Sequence, residues 1–361
     1  MRRRLVSAIL LLGIGLIAAP AVFQMFSRAP KGGEMINEFR PFMEASKVEQ
    51  FQDYMAQIDS AHSETSEKLP AFASDNAGMD GETFDTEFPS TAAFNDQWPA
   101  IFKDMNDGML VTMEEMVDNF AAVDALPPFP LFPFFFVAPG IMISLLAWSA
   151  LQADKKGTST RSRLKLLALL GIGLIAAPAI FQMFGRAPKG AEMINEFRSL
   201  MTEEKLARVQ GYFLVLGAAE GELRNSVEPA LGLSGSQLGS DFPALAGFHL
   251  DWGKISGDMA PMIGAMADNI DNYEAVDALP PFTLFPWFFV IPGVMVAALA
   301  LAASARGPGL SGKEAFAAAL PPPADATGAF FAGLKAKAEG NRASRAQSTE
   351  DVPPRQESET R

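Results

Sequence analysis

Two long segments of this sequence each occur twice. Gly13 to Met43 returns as Gly171 to Met201 with 26 identities in 31 positions, and Ala121 to Pro139 returns as Glu274 to Pro292 with 15 in 19. The offset falls from 158 residues (13 to 171) to 153 (121 to 274), so the second half is shorter between the two matches. Solenoid repeats have periods of about 20–50 residues. The longer period predicts a tandem duplication of a whole domain, whose shared function should use residues present in both halves.

Four apolar stretches predict an all-α membrane protein. Each has about the 20 residues that a helix needs to cross the hydrocarbon core. None contains Asp, Glu, Lys, Arg or His: Leu5–Phe26, Phe129–Leu151, Leu166–Phe184 and Phe282–Ala303. The first stretch also resembles a signal peptide, because three arginines precede it. Its near copy in mid-chain cannot act as one, so we predict that the first helix is retained.

The placement of basic residues predicts the orientation in the membrane. The loop between the second and third stretches carries five basic residues and one acid, and basic loops face the cytoplasm. The segment 27–128 holds 6 basic and 20 acidic residues, and 185–281 holds 7 and 14. We therefore expect a bacterial plasma-membrane protein with both termini in the cytoplasm and two acidic domains outside.

The predicted organisation follows from these segments. In chain order it comprises the N-terminus and first span (1–26), the first extracytoplasmic domain (27–128), the second span (129–151), a basic loop (152–165), the third span (166–184), the second extracytoplasmic domain (185–281), the fourth span (282–304) and a C-terminal tail (305–361). The Pro-rich tail has too little apolar sequence to fold, so it is predicted to be disordered.

Apolar residues in the acidic segments follow helical spacing. Val48, Phe51, Met55 and Ile58 lie three or four positions apart. The second half has the same stripe: Leu206, Val209, Phe213 and Leu216. Alternation with a period of two is scarce. We predict that each half folds as transmembrane helix, extracytoplasmic helical bundle and transmembrane helix, with little or no sheet.

Composition excludes several classes of function. The chain has no cysteine, which removes disulfides, thiolate metal sites and thiol catalysis. Its net charge of −13 argues against a nucleic-acid partner. No nucleophile, base and acid recur together in both halves. We therefore predict a protein that is not an enzyme and needs no cofactor.

Small residues on two spans predict a helix-packing face. Gly15 and Ala19 are four residues apart, as are Gly173 and Ala177, and such pairs let membrane helices approach closely. The first and third spans would pack together through this face, or each would pack on a helix of a partner. A generic small-residue surface is the alternative.

Basic residues follow the same two spans. The motif Arg-Ala-Pro-Lys places Arg28 and Lys31, and likewise Arg186 and Lys189, just beyond the apolar stretch. Long basic side chains at headgroup depth anchor a helix at the membrane interface. Recognition of a lipid phosphate is the more specific interpretation of these four residues.

The motif Ala-Leu-Pro-Pro-Phe-x-Leu-Phe-Pro opens the second and fourth spans. Pro133 and Pro139 in the second span, and likewise Pro286 and Pro292 in the fourth, are predicted to kink these helices, because each removes a backbone donor. A kinked helix could open a lateral pocket for an acyl chain, whereas simple packing is the alternative. The residues of this candidate pocket are Phe132, Pro133, Phe136, Pro139, Phe285, Pro286, Phe289 and Pro292.

Methionines form a helical stripe in both halves: Met105, Met109, Met113, Met116, Met259, Met262 and Met266. Thioethers can bind copper(I) or an adaptable apolar partner. Core packing is the interpretation we prefer, because the histidines His62 and His249 occupy unrelated positions in the two halves. We predict no metal site.

Three functions fit these features. The leading hypothesis is a non-enzymatic accessory or scaffold subunit of a cell-envelope complex, whose acidic domains dock a membrane-protein partner or a second copy. The alternative is a lipid or hydrophobic-ligand carrier that uses the kinked Phe/Pro helices. An extracytoplasmic ligand sensor is the third. Membrane lipids are expected partners in every case.

Overall fold

A computed structural model describes residues 2–306, and every regular element in that range is helical. The first half contains α1 (Arg2–Val22), α2 (Met25–Phe39), α3 (Ala45–Ser63), α4 (Leu69–Ala77), α5 (Gly81–Glu87), α6 (Pro89–Phe102), α7 (Val111–Asp124) and α8 (Phe132–Lys155). The second half contains α9 (Arg161–Ile180), α10 (Met183–Phe197), α11 (Glu203–Glu222), α12 (Glu228–Ala230), α13 (Gly235–Asp241), α14 (Pro243–Asp277) and α15 (Phe285–Ala305). Beyond its first two residues, the predicted disordered tail lies outside the described residues.

Four helices are long and apolar enough to cross a membrane, which confirms the predicted number of spans. They are α1, α8, α9 and α15, with a short 3₁₀ turn preceding α8 (Phe129–Leu131) and α15 (Phe282–Leu284). The all-helical fold is confirmed for residues 2–306, where no strand occurs.

The first and third spans end earlier than predicted. Helix α1 stops at Val22 and α2 begins after Gln24, whose φ is 54°. Gln182, with φ 55°, interrupts the chain at the same place between α9 and α10. Left-handed backbone is uncommon for a residue other than glycine. Each break turns the chain out of its membrane helix into a separate amphipathic helix.

The membrane helices pack in pairs through glycine. Helix α1 packs mainly on α8, and α9 mainly on α15. A Cβ added at Gly13 would lie 3.0 Å from the carbonyl oxygen of Gly140, and one at Gly171 would lie 2.7 Å from that of Gly293. These glycines therefore set the close approach of each pair. Further contacts between α1 and α15, and between α8 and α9, join the pairs.

The helices between the spans form one body instead of two separate bundles. Helix α2 of the first half packs on α14 of the second, and α10 of the second packs on α7 of the first. Likewise α3 packs on α14 and α11 on α6. Each half thus places helices against the other, which differs from the predicted pair of independent bundles. We call this assembly of α2–α7 and α10–α14 the acidic body.

One irregular segment explains a difference in length between the halves. Trp98 and Asp124 are 26 residues apart, whereas their counterparts Trp252 and Asp277 are 25 apart. The extra residue falls where α6 and α7 are joined by a π-helical segment, Lys103–Leu110, while α14 runs unbroken through the same region. A π-helical turn accommodates one additional residue without ending the helix. The packing faces on either side of the insertion therefore stay aligned.

Candidate functional site

The predicted helix-packing face is open at both of its glycines in the described part of the chain. A Cβ added at Gly15 or Gly173 would have no other atom within 4 Å. The close contacts are made two positions earlier, at Gly13 and Gly171, and two positions are about 200° around a helix. The first and third spans therefore do not pack through Gly15, Ala19, Gly173 and Ala177. Packing of this face on a partner's helix stays a prediction.

The same small residues line two apolar grooves between the halves. The first groove, of about 460 Å³, lies between α1 and α15, and Gly15, Ala19 and Phe23 line it. The second groove, of about 270 Å³, lies between α8 and α9, and Gly173, Ala177 and Phe181 occupy equivalent positions in it. Every residue that lines either groove has an apolar side chain. Small residues here leave space instead of filling it.

The four prolines of the candidate pocket divide into two types. Pro133 and Pro286 lie in the first turn of α8 and α15, where backbone N–H groups have no intrahelical acceptor. The prediction that these two kink their helices is therefore wrong, because they remove no hydrogen bond. Pro139 and Pro292 do lie inside the helices. Pro292 lines the first groove and Pro139 the second.

The candidate-pocket phenylalanines join the halves. Phe136 stacks on Phe289 with ring centroids 4.7 Å apart, and Phe132 lies 5.8 Å from Phe285. Each ring contacts its own counterpart from the other half, and all four side chains are buried. Their outer edges complete the groove walls, because Phe136 and Phe285 line the first groove and Phe289 the second. These four phenylalanines, which we call the aromatic layer, therefore both pack the halves together and form part of the groove walls.

The two arginines of the Arg-Ala-Pro-Lys motif hold the other half of the chain. Arg28 donates a hydrogen bond to the carbonyl oxygen of Ala278 at 2.6 Å, and Arg186 donates to that of Ala125 at 2.7 Å. Neither guanidinium forms an ion pair within residues 2–306. Lys31 and Lys189 are half-buried nearby on α2 and α10. A role of these residues at a lipid headgroup stays a prediction.

Two equivalent acid clusters bridge the halves in the acidic body. Asp104 accepts hydrogen bonds from Lys205 at 2.7 Å and from Tyr212 at 2.8 Å. In the mirrored cluster, Asp258 accepts a 2.5 Å hydrogen bond from Tyr54. Desolvation, followed by the bond to Asp104, raises the pKa of Tyr212 to about 12. The bond from Tyr54 is the main cause that lowers the pKa of Asp258.

Two glutamates cap helices of the opposite half. Glu64 is buried and accepts a hydrogen bond from the backbone N–H of Leu245, in the first turn of α14, at 2.9 Å. Glu222 accepts one from the N–H of Thr91, in the first turn of α6, at 2.6 Å. A carboxylate at this end is favoured by the helix dipole and by the free N–H groups. These caps tie each half to the start of a long helix in the other.

The two histidines lie at equivalent helix contacts in the two halves, although they occupy different positions in the sequence repeat. His62 lies 3.2 Å from the backbone oxygen of Asn95, and His249 lies 3.2 Å from a carboxylate oxygen of Glu220. In the alignment of the halves, His249 replaces Asn95 and Glu220 replaces His62. Both histidines therefore occupy one equivalent helix contact, from opposite sides. Desolvation raises the pKa of Glu228, whose carboxylate lies 2.8 Å from His249.

The methionine stripes face each other across a small apolar cavity of about 40 Å³. All seven predicted stripe methionines are buried, in agreement with core packing. Eight methionines line the cavity, four from each half: Met35, Met43, Met109, Met113, Met193, Met201, Met262 and Met266. Within the described residues, no group of three or more His, Cys, Asp or Glu side chains could hold a metal ion.

Sequence reasoning missed the residues that join the halves of the acidic body. A signal was available, since Lys47 and Tyr54 are seven residues apart and return as Lys205 and Tyr212. That spacing places both side chains on one face of a helix. The retained pair Glu64 and Glu222 gave a second signal. Neither pattern identifies its partner, because the partners lie on other helices about 100 to 210 residues away in sequence.

Comparison with known proteins gives no relative. No protein-family model, no curated protein and no solved structure matches this chain.

Proposed function

We propose that this chain is a non-enzymatic membrane protein that binds phospholipid, with acyl chains in the two grooves and a phosphate near Arg28 and Arg186. The observation that carries the proposal is the pair of equivalent grooves, one on each side of the aromatic layer, lined only by apolar side chains. We further propose that the halves arose by duplication and that the acidic body lies outside a bacterial plasma membrane.

The lining of the first groove suits an unbranched acyl chain. Gly15 has no side chain, and Ala19, one turn later, has only a methyl group. The two residues leave a channel along α1 that a larger residue would close. Phe23 and Phe288 flank its end near the acidic body, with ring centroids 6.0 Å apart. A flexible acyl chain gains dispersion contacts from such a channel, although it leaves an equally apolar solvent.

The first groove ends beside a cation. Met25 and Pro280 line the groove, and Arg28 lies one helical turn beyond Met25 and bonds to Ala278, two residues before Pro280. A guanidinium has five N–H donors, so the bond to Ala278 leaves others for a phosphate oxygen. Charge-assisted bonds from arginine to phosphate are strong and directional. The arrangement therefore favours a lipid with an anionic headgroup.

The test is the lipid content of the purified protein. Gly15→Leu should fill the first groove and Gly173→Leu the second, without a clash, because both positions face open space. We expect each variant to lose roughly half of the bound phospholipid measured by mass spectrometry after gentle-detergent purification, and the double variant nearly all. Gly253→Leu, at an open site in the acidic body, is the matched control. Unchanged lipid in the double variant would rule out the grooves as the binding site.

A second proposal is an accessory subunit that docks a protein partner through the acidic body. The two most exposed large apolar side chains there are Leu214 at 75% and Leu250 at 85%, on a surface rich in acidic residues. Exposed apolar side chains of this size are candidate anchors for a protein partner. Leu214→Glu with Leu250→Glu should then remove a stoichiometric partner from native-membrane purifications and leave lipid content unchanged. Loss of lipid but retention of the partner would contradict it.

A further inference from the structure

A polar cavity lies at the opposite end of the membrane helices from the acidic body. Its volume is about 450 Å³, and it is bounded by the start of α1, the end of α8, the loop into α9 and the end of α15. The polar residues that line it include Arg2, Asp154, Thr158, Ser159, Thr160 and Arg161. The cavity is therefore distinct from both lipid grooves in place and in chemistry.

The first turn of α9 borders this cavity, because Thr160, Arg161 and Leu164 line it. Thr160 occupies the N-cap position but its side chain makes no capping hydrogen bond, and Arg161 N–H reaches the Ser159 hydroxyl only at 3.5 Å. Thr160 is only 4% exposed, it lines the cavity, and its hydroxyl has no hydrogen-bond partner within residues 2–306. A hydroxyl that faces the cavity and leaves its own helix uncapped is available to a ligand.

The charge of the cavity is positive after its internal ion pairs are considered. Asp154 forms ion pairs with Arg3 at 2.8 Å and with Arg2 at 3.6 Å. The Nε atom of Arg2 is buried and has no hydrogen-bond partner in the described part of the chain. Arg161 forms no ion pair among those residues. The lining therefore carries two guanidinium groups and one carboxylate, and of the two guanidinium groups Arg161 is the one without an ion pair in the described residues.

We infer that this cavity binds a phosphate oxyanion, carried by a lipid headgroup or by a soluble phosphate compound. A helix N-terminus supplies N–H donors and a favourable dipole, arginine supplies charge-assisted bonds, and hydroxyls complete the shell. The volume exceeds that of an inorganic phosphate, so a phosphate ester fits as well.

The experiment uses the full chain in nanodiscs and follows its melting temperature. Inorganic phosphate is titrated into phosphatidylcholine discs, and discs with and without phosphatidic acid are compared in a second arm. Stabilisation by inorganic phosphate identifies a site open to soluble phosphate. Stabilisation by phosphatidic acid alone identifies a headgroup site. Either result supports the inference, and no stabilisation in both arms overturns it.

Matched variants assign the effect to the cavity. Arg2→Gln and Thr160→Val should each weaken binding by about tenfold, the loss expected for one hydrogen bond to a charged group. Arg4→Gln removes an exposed charge that does not line the cavity and should bind like the wild type. An equal loss in Arg4→Gln would overturn the inference in favour of general attraction. If Arg2→Gln does not fold, Thr160→Val, which keeps the shape of the side chain, decides the question.

Discussion

Asp104 and Asp258 each accept a hydrogen bond from a tyrosine of the opposite half. Individual side chains therefore hold the two halves together. Each contact crosses between helices that are remote in sequence, and each has an equivalent at the corresponding position. The neutral tyrosine is the form that donates, and the carboxylate is the form that accepts. Loss of the tyrosine proton at high pH, or protonation of the aspartate at low pH, would therefore weaken the contact. The stability of the acidic body is thus linked to pH.

Tyr212 should titrate near pH 12, well above its ordinary value of 10.0. Because the unfolded tyrosine loses its proton near 10 and the folded one near 12, its contribution to stability is complete below pH 10 and is lost as pH rises through 12. The ultraviolet absorbance of tyrosinate, taken as wild type minus Tyr212→Phe, measures this midpoint while circular dichroism follows the fold. Asp104→Asn should lower it, since one cause of the shift is removed. A midpoint near 10 in folded protein would contradict the contact.

The buried cap at Glu64 predicts an asymmetric response between two neighbouring glutamates. Glu64→Ala leaves the N–H of Leu245 without its acceptor at the start of α14 and should cost about 1–2 kcal/mol of stability. Glu67→Ala removes an exposed carboxylate of the same segment and should be nearly neutral. Thermal unfolding in detergent, followed by circular dichroism, compares the two. Equal melting temperatures would mean that the cap contributes little.

At the scale of elements, the spans could be predicted because their signal is local. Twenty uncharged apolar residues need no knowledge of a partner, and all four spans were identified from the sequence. Which helices pack together could not be predicted in the same way. The repeat assigns α2 an equivalent in α10, but it does not say whether α2 packs on α7 or on α14. The left-handed break at Gln24 was missed because no glycine, asparagine or aspartate marks it.

The sequence could not show which glycine of each span packs against another helix. Gly13 and Gly15 are both small and lie on nearly opposite sides of α1, so composition alone cannot decide which one meets a helix. The structure places Gly13 against α8 and leaves Gly15 open. The same separation holds for Gly171 and Gly173 on α9. Each pair therefore combines a packing position with a groove position.

This division predicts opposite outcomes for one substitution at two neighbouring sites. Gly171→Ala would place a Cβ 2.7 Å from backbone atoms of α15, which cannot move aside as a side chain can. Forcing the helices apart should cost about 1–3 kcal/mol. Gly173→Ala meets no atom within 4 Å and should leave the melting temperature unchanged in the same detergent. Equal destabilisation by the two changes would show that both faces are packed.

For the whole molecule, the reciprocal contacts mean that neither half completes its own acidic body. Arg28 and Arg186, the capping glutamates and the aromatic layer all reach across, while the covalent link is the short loop between α8 and α9. Helix packing across the halves, together with these paired polar contacts, resembles a domain interior more than a contact between domains. The loop therefore serves as a connection and contributes little to holding the halves together.

Cutting that loop tests this view of the molecule. A protease site inserted at the exposed Gly157 can be cleaved after the full chain has folded and been purified in mild detergent. We expect the two fragments to elute together in gel filtration with unchanged helical circular dichroism, because the contacts between the halves do not depend on the link. The same cut in a chain that carries Glu64→Ala and Glu222→Ala, which lacks both reciprocal caps, should release fragments at a lower temperature than the cut wild type. Separation of the wild-type fragments at once would mean that the halves are independent domains.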